Sequence, residues 1–222
     1  MSFSFQSVDQ RKLAYTPSKI VCVGRNYLEH IQELENEIPD EAVFFIKPGT
    51  ALSHLCQTCE IPTYRGEIHY ECELALLITQ KLTRASAEHS LDAVGGYGLA
   101  LDLTLRQLQS ELKEKGLPWE KAKAFDGSCP LSPLKMVDGN FSSRHRFNFS
   151  INGKLRQTGD SRLMIRDSAH LLAEISQWFT LMPGDVVLTG TPAGVGILSE
   201  GDELELVLDG TVVCRSTVVK GR

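Results

Sequence analysis

The sequence predicts an α+β fold in one domain, on three observations. Short apolar runs bounded by Gly, Pro, Asn or Asp recur along the 222 residues, the mark of many short strands. Two such runs end in the turn pairs Asn152-Gly153 and Asp209-Gly210, which supply the positive φ a two-residue hairpin demands. Helical periodicity is confined to three scattered stretches, so strands and helices do not alternate as they would in a βαβ fold. No repeat, low-complexity tract or linker interrupts the chain. Residues 1–222 therefore read as a single domain, with 1–16 as an N-terminal extension. At 42% hydrophobic the chain can bury one sizeable core.

The elements follow in order. Ile20-Val21-Cys22-Val23-Gly24 is a short buried strand ending in a turn. Residues 26–36 predict a helix with Leu28, Ile31 and Leu34 as its apolar stripe. Val43–Ile46 is a strand stopped by Lys47-Pro48-Gly49, and strands over 70–78 and 98–103 come next. Thr104-Leu105-Arg106-Gln107 resembles a capping box opening a helix through Lys115, closed by Gly116 with Pro118 beyond. Gly116 to Pro130 reads as a long loop, the kind that often closes over a site. Phe147–Ile151 and Leu206–Leu208 are the hairpin strands. Asp167 can cap a helix that turns Leu171, Leu172, Ile175 and Phe179 inward. Val186–Leu188 leads into the glycine-rich loop 189–196, which lacks both dinucleotide spacing and a Walker lysine. Its composition suits a tight turn where backbone approaches a ligand.

Bulk properties exclude several classes. A net charge of −5 without a basic run argues against nucleic acid. No apolar stretch approaches the roughly 18 residues of a membrane span, and residues 1–18 lack the apolar core of a signal peptide. Cysteines at 22, 56, 59, 72, 129 and 214 show no framework spacing; they read as reduced thiols of a cytoplasmic protein. Cys56-Gln57-Thr58-Cys59, near His54, lacks the second pair or thioredoxin-like context that zinc or redox chemistry needs, so it reads as coincidence.

Chemistry concentrates in acids placed among apolar residues. Glu71 and Glu73 precede the run Leu74–Ile78, and strand alternation points both to one face. Asp102 sits in a second apolar run, Gly98–Leu103. Buried carboxylates are costly unless neutralised. Either each pairs with a Lys or Arg, or the three converge on a hard divalent cation such as Mg²⁺ or Mn²⁺. His30 and Glu33 are three apart on the first helix: they are either a surface pair or an imidazole oriented by a carboxylate as a general base. Arg25, Lys47 and Gln109 stand near the elements that should reach a metal and could anchor an anionic substrate.

In this order the motifs resemble the fumarylacetoacetate hydrolase family: Val21-Cys22-Val23-Gly24-Arg25-Asn26-Tyr27 with His30, Phe45-Ile46-Lys47-Pro48, and His69-Tyr70-Glu71-Cys72-Glu73-Leu74. Gly96-Tyr97-Gly98 through Asp102-Leu103-Thr104, Gly116-Leu117-Pro118-Trp119 to Cys129-Pro130, Asn152-Gly153 with Arg156-Gln157, and Val187–Pro192 extend the match over about 17–220. The resemblance implies a mixed-sheet, barrel-like roll with a few flanking helices, usually a homodimer. It implies Mg²⁺ or Mn²⁺ on Glu71, Glu73 and Asp102, a His30–Glu33 dyad, Lys123 as electrophilic helper, and a substrate site lined by Arg25, Lys47, Gln109 and Thr191. The expected reaction is hydrolysis of a carbon–carbon bond in a 2,4-dioxo acid such as an acylpyruvate or fumarylpyruvate. Decarboxylation or keto–enol tautomerisation of oxaloacetate is the alternative, and a non-catalytic binding protein the remote one.

Overall fold

The computed structural model describes residues 3–35, 37–62 and 66–221, and only the backbone of Gln57. Three sheets and five short helices make a mixed α+β fold, as expected. The helices are α1 (Leu28–Glu33), α2 (Ala87–Ser90), α3 (Arg106–Glu114), α4 (Glu120–Lys123) and α5 (Ser168–Trp178). In the large sheet the strands run Val43–Pro48, Lys19–Gly24, Val186–Leu188, Cys72–Ile78, Val94–Leu101, Cys129–Leu131, Leu52–His54, with Lys135–Met136 added beside Val94–Leu101. A second sheet holds Lys154–Asp160, Arg146–Ile151, Glu203–Leu208, Thr211–Lys220 and Gln57–Ile61. The third joins Gly196–Leu198, Ile68–Tyr70 and Thr104–Leu105.

The run after Glu73 explains the layering. Leu74, Leu76 and Ile78 enter the main core, while Ala75 and Leu77 face a second cluster on the opposite side of the sheet. A strand buried on both faces needs an unbroken apolar run. Residues 3–16 help to cover that second face through Phe3, Phe5, Leu13 and Tyr15. Glu73 shares the face of Ala75 and Leu77 by alternation.

Both hairpins form as expected: Asn152 and Gly153 have φ of 51° and 72°, Asp209 and Gly210 52° and 75°. The Asp167 carboxylate accepts the His170 amide at 2.9 Å and caps α5. Gly116, at φ 63°, closes α3, with Leu117 N–H donating to Leu112 C=O at 2.8 Å and Gly116 N–H to Lys113 C=O at 3.0 Å.

Four expectations are corrected. The first helix is only Leu28–Glu33, because Tyr27 bridges Met164 in extended form and Glu35 turns left-handed at φ 51°. Of its stripe, Ile31 is buried, Leu28 is exposed and Leu34 lines a cleft. Thr104 is not a cap: Thr104-Leu105 pairs with Ile68 and His69 as a strand, and α3 begins at Arg106 without a side-chain cap. The Gly116–Pro130 segment contains α4 and the start of a strand. Finally, Cys56 is joined to Cys214 in a disulfide across 158 residues, so the six cysteines are not all free thiols. Parallel pairing of Gln57–Ile61 with Thr211–Lys220 brings the two together, with Cα atoms 5.3 Å apart. Cys22, Cys59, Cys72 and Cys129 are free and buried. Among the described residues no helix is long and apolar enough to cross a membrane.

Candidate active site

Glu71 sits where the chain passes from the small sheet to the large one, between Ile68–Tyr70 and Cys72–Ile78. Asp102 lies one residue past the Val94–Leu101 strand, and its amide donates to the Glu71 carbonyl at 2.8 Å. With Glu73 paired to Ala100 in register, three buried carboxylates converge, each offering an oxygen within 4.8 Å of the others.

The charges around them are uneven. Lys123 Nζ donates to Glu71 Oε2 at 2.8 Å, Asp102 Oδ2 at 2.6 Å and Thr104 Oγ1 at 2.7 Å. Arg106 pairs with Glu71 from the other side. Burial alone would raise the Glu71 pKa, but the charges of Lys123 and Arg106 hold it well below the usual carboxylate range. Among the described residues Glu73 has only the Gly190 amide as donor, at 2.5 Å. Burial, then the Asp102 and Glu71 charges, push its carboxyl well up. Asp102 Oδ1 receives no hydrogen bond of good geometry, although Lys47 Nζ is 2.8 Å away in an ion pair.

Those observations fit a cation. Among the described residues Glu73 is buried beside two like charges without an ion-pair partner of its own, and Asp102 Oδ1 has unused acceptor capacity. A divalent ion relieves both, and an all-oxygen donor set selects a hard one, Mg²⁺ or Mn²⁺. Glu71, Glu73 and Asp102 would hold it.

Above the acids lies a narrow cleft whose lining includes Arg25, His30, Glu71, Glu73, Arg106, Gln109, Lys123 and Thr191. The apolar wall is Val43, Phe45 and Trp119. His30 Nδ1 is 3.3 Å from Glu33 Oε2, and Glu33 Oε1 accepts the Gly194 amide at 3.0 Å. Only glycine permits that approach: at φ 98° a Cβ on Gly194 would lie 2.1 Å from the Arg156 carbonyl. Burial lowers the His30 pKa, outweighing the opposite pull of Glu71 and Glu33, so the ring is held neutral and able to accept a proton. Burial would also lower the Lys123 pKa, but Asp102 and Glu71 reverse the shift and keep the ammonium charged.

Two expected substrate anchors sit differently from the others. Lys47 is wholly buried behind Asp102, donating to the Ser128 carbonyl and hydroxyl, both at 3.0 Å, and to the Lys123 carbonyl. This places it to fix Asp102. Thr191 lines the cleft, yet its hydroxyl donates to the Cys72 carbonyl at 2.9 Å and accepts from Gln157 Nε2 at 2.8 Å. Gln109 and Arg25 do face the cleft. Arg106, absent from the expected site, touches both Glu71 and Gln109. Its three-residue spacing from Gln109 on one helix was the available signal. Gln157 and Ser128 were also missed; both act across long sequence gaps.

Three buried carboxylates able to hold a divalent ion lie beneath the His30–Glu33 pair at the floor of the cleft, an arrangement consistent with an enzyme of small molecules. The chain belongs to the fumarylacetoacetate hydrolase family: residues 19–219 match the fumarylacetoacetate (FAA) hydrolase C-terminal family. It is 51% identical to an oxaloacetate tautomerase of Escherichia coli over 201 residues, 89% of this chain and 91% of that protein. It is 39% identical to a human mitochondrial oxaloacetate tautomerase over 195 residues, covering 87% and 88% of the two chains. Among solved structures it is similar to the fumarylpyruvate hydrolase of Pseudomonas aeruginosa in complex with Mn²⁺ and pyruvate, at 32% identity and a TM-score of 0.89, covering 99% and 97%.

Proposed function

We propose that this protein is a Mg²⁺- or Mn²⁺-dependent oxaloacetate keto–enol tautomerase. The expectation of carbon–carbon hydrolysis gives way to its alternative, because relatives named for tautomerisation match at 51% and 39% identity while the hydrolase neighbour matches at 32%. The observation that carries the chemistry is the neutral, buried His30 held by Glu33 at the edge of the acid cluster.

In the keto-to-enol direction, His30 takes a proton from C3 and the C–H electron pair becomes the C2–C3 double bond. The 2-oxo oxygen gains the negative charge. Glu33 orients the ring and stabilises the imidazolium that forms. The charged Lys123 ammonium faces the same cluster and donates a hydrogen bond to the developing oxyanion. When bound, Mg²⁺ or Mn²⁺ supplies a Lewis acid that lowers the cost of that charge. Transfer of the imidazolium proton to that oxygen, directly or through water, releases the enol and restores neutral His30; its return to C3 instead regenerates the ketone.

Carbon–carbon hydrolysis is the second reading, favoured by the neighbour crystallised with Mn²⁺ and pyruvate. It uses the same base to activate a water, whereas decarboxylation of oxaloacetate needs no base. Glu33→Gln is therefore expected to lower tautomerisation of oxaloacetate by about 10-fold to 100-fold and to leave its decarboxylation nearly unchanged. The check is kcat/KM for both reactions at matched Mg²⁺. Equal losses, or no loss of tautomerisation, would remove the dyad from the proton transfer.

A further inference from the structure

The face of α3 that borders the cleft carries Arg106, Gln109 and Lys113. At spacings of three and seven residues these side chains share one side of the helix. Arg106 is at the metal end, bonded to Glu71, and Gln109 Oε1 accepts from Arg106 at 2.8 Å. Lys113 lies two turns further out, about 10 Å along the axis at 1.5 Å per residue, at the exposed mouth.

Three cations at or behind the cleft serve the acid cluster. Lys47, Lys123 and Arg106 are each paired with Glu71 or Asp102. Lys113 has no carboxylate partner among the described residues; its ammonium rests over the Trp119 ring, 5.1 Å from the centroid. Arg25, on the same cleft, reaches the Glu37 carbonyl at 3.4 Å. Partial burial, followed by the charges of Arg25, Arg106 and Lys123 and opposed by Glu71, lowers the Lys113 pKa. A 2-oxo acid with one carboxylate, held at the metal end, leaves Lys113 without an anionic partner. A second carboxylate at the far end of the substrate meets it.

We infer that Lys113, braced on Trp119, is a specificity residue that selects 2-oxo acids bearing a second carboxylate. The inference rests on the active-site reading above and narrows its substrate class to dicarboxylates. It uses no chemistry beyond binding, so it can be tested apart from tautomerisation.

Dissociation constants for oxaloacetate and for 2-oxobutanoate, the same four-carbon skeleton with one carboxylate, are to be measured by calorimetry on Mg²⁺-loaded protein. Wild type should prefer oxaloacetate by about tenfold or more, the scale of one charge-assisted hydrogen bond. Lys113→Met, similar in length and uncharged, should lose most of that preference while its affinity for 2-oxobutanoate holds. Lys113→Arg should retain the preference. No preference in wild type, including failure of both acids to bind, overturns the inference. So does a preference that survives in Lys113→Met, or a parallel weakening of both ligands, which would mark Lys113 as a shaper of the pocket. If the preference and its loss are both found but wild type does not tautomerise oxaloacetate, the tautomerase reading fails and the dicarboxylate subsite stands.

Discussion

Glu73→Gln is expected to weaken Mg²⁺ binding by more than about 100-fold and to abolish turnover while the fold survives. Replacing an outer-shell partner of a metal ligand typically costs about 10–100-fold in affinity, and Glu73 is in the ligand set itself. The substitution keeps volume in a site that is 1% exposed. Glutamine also removes a charge that burial, Asp102 and Glu71 all oppose, so the metal-free variant should melt no lower than metal-free wild type. Mg²⁺ at 100 times its Kd should stabilise wild type by about 2.7 kcal/mol through mass action and leave the variant almost unmoved. Thermal melts with and without Mg²⁺, paired with calorimetric titration, check both statements. Unchanged affinity in the variant would remove Glu73 from the ligand set.

His30→Ala is expected to cut oxaloacetate tautomerisation by about 10²–10⁴, the usual range for a positioned acid–base group. Mg²⁺ affinity should stay within a few-fold, since His30 lies outside the carboxylate group. The pH profile gives a second reading. The neutral ring is the active form, and burial lowers its pKa from the ordinary value near 6.5. Activity should therefore rise with pH through a value below 6.5 and stay high toward neutrality, and that acidic limb should vanish in the variant. Wild-type rates in His30→Ala would make His30 and Glu33 a surface pair.

Local rules made part of this molecule readable in advance. The apolar run Leu74–Ile78, the hairpin pairs at 152–153 and 209–210, and the Asp167 cap each act over a few residues, and each is found as expected. The three acids stood out because a carboxylate among buried strand residues has few physical explanations. The parts that stayed hidden depend on long-range contacts. Thr104 satisfies a capping pattern, yet pairing with Ile68 and His69 claims it for a strand and leaves its hydroxyl for Lys123. Lys47 reads as a substrate anchor at a strand end, while the fold buries it between Asp102 and Ser128. Cys56 and Cys214 are 158 residues apart in sequence and meet only through a parallel strand pair. The reaction was the least legible feature, because one base above one metal site serves hydrolysis and tautomerisation alike.

One measurement tests the central claim most directly. The enol absorbance of oxaloacetate is followed after adding the protein with Mg²⁺ or with EDTA, beside pyruvate release from acetylpyruvate and fumarylpyruvate under the same conditions. The account predicts metal-dependent ketonisation with a kcat/KM at least about 100-fold above cleavage of either acylpyruvate, about 2.7 kcal/mol in transition-state binding. Cleavage that equals or exceeds ketonisation, or ketonisation that persists undiminished in EDTA, would contradict it.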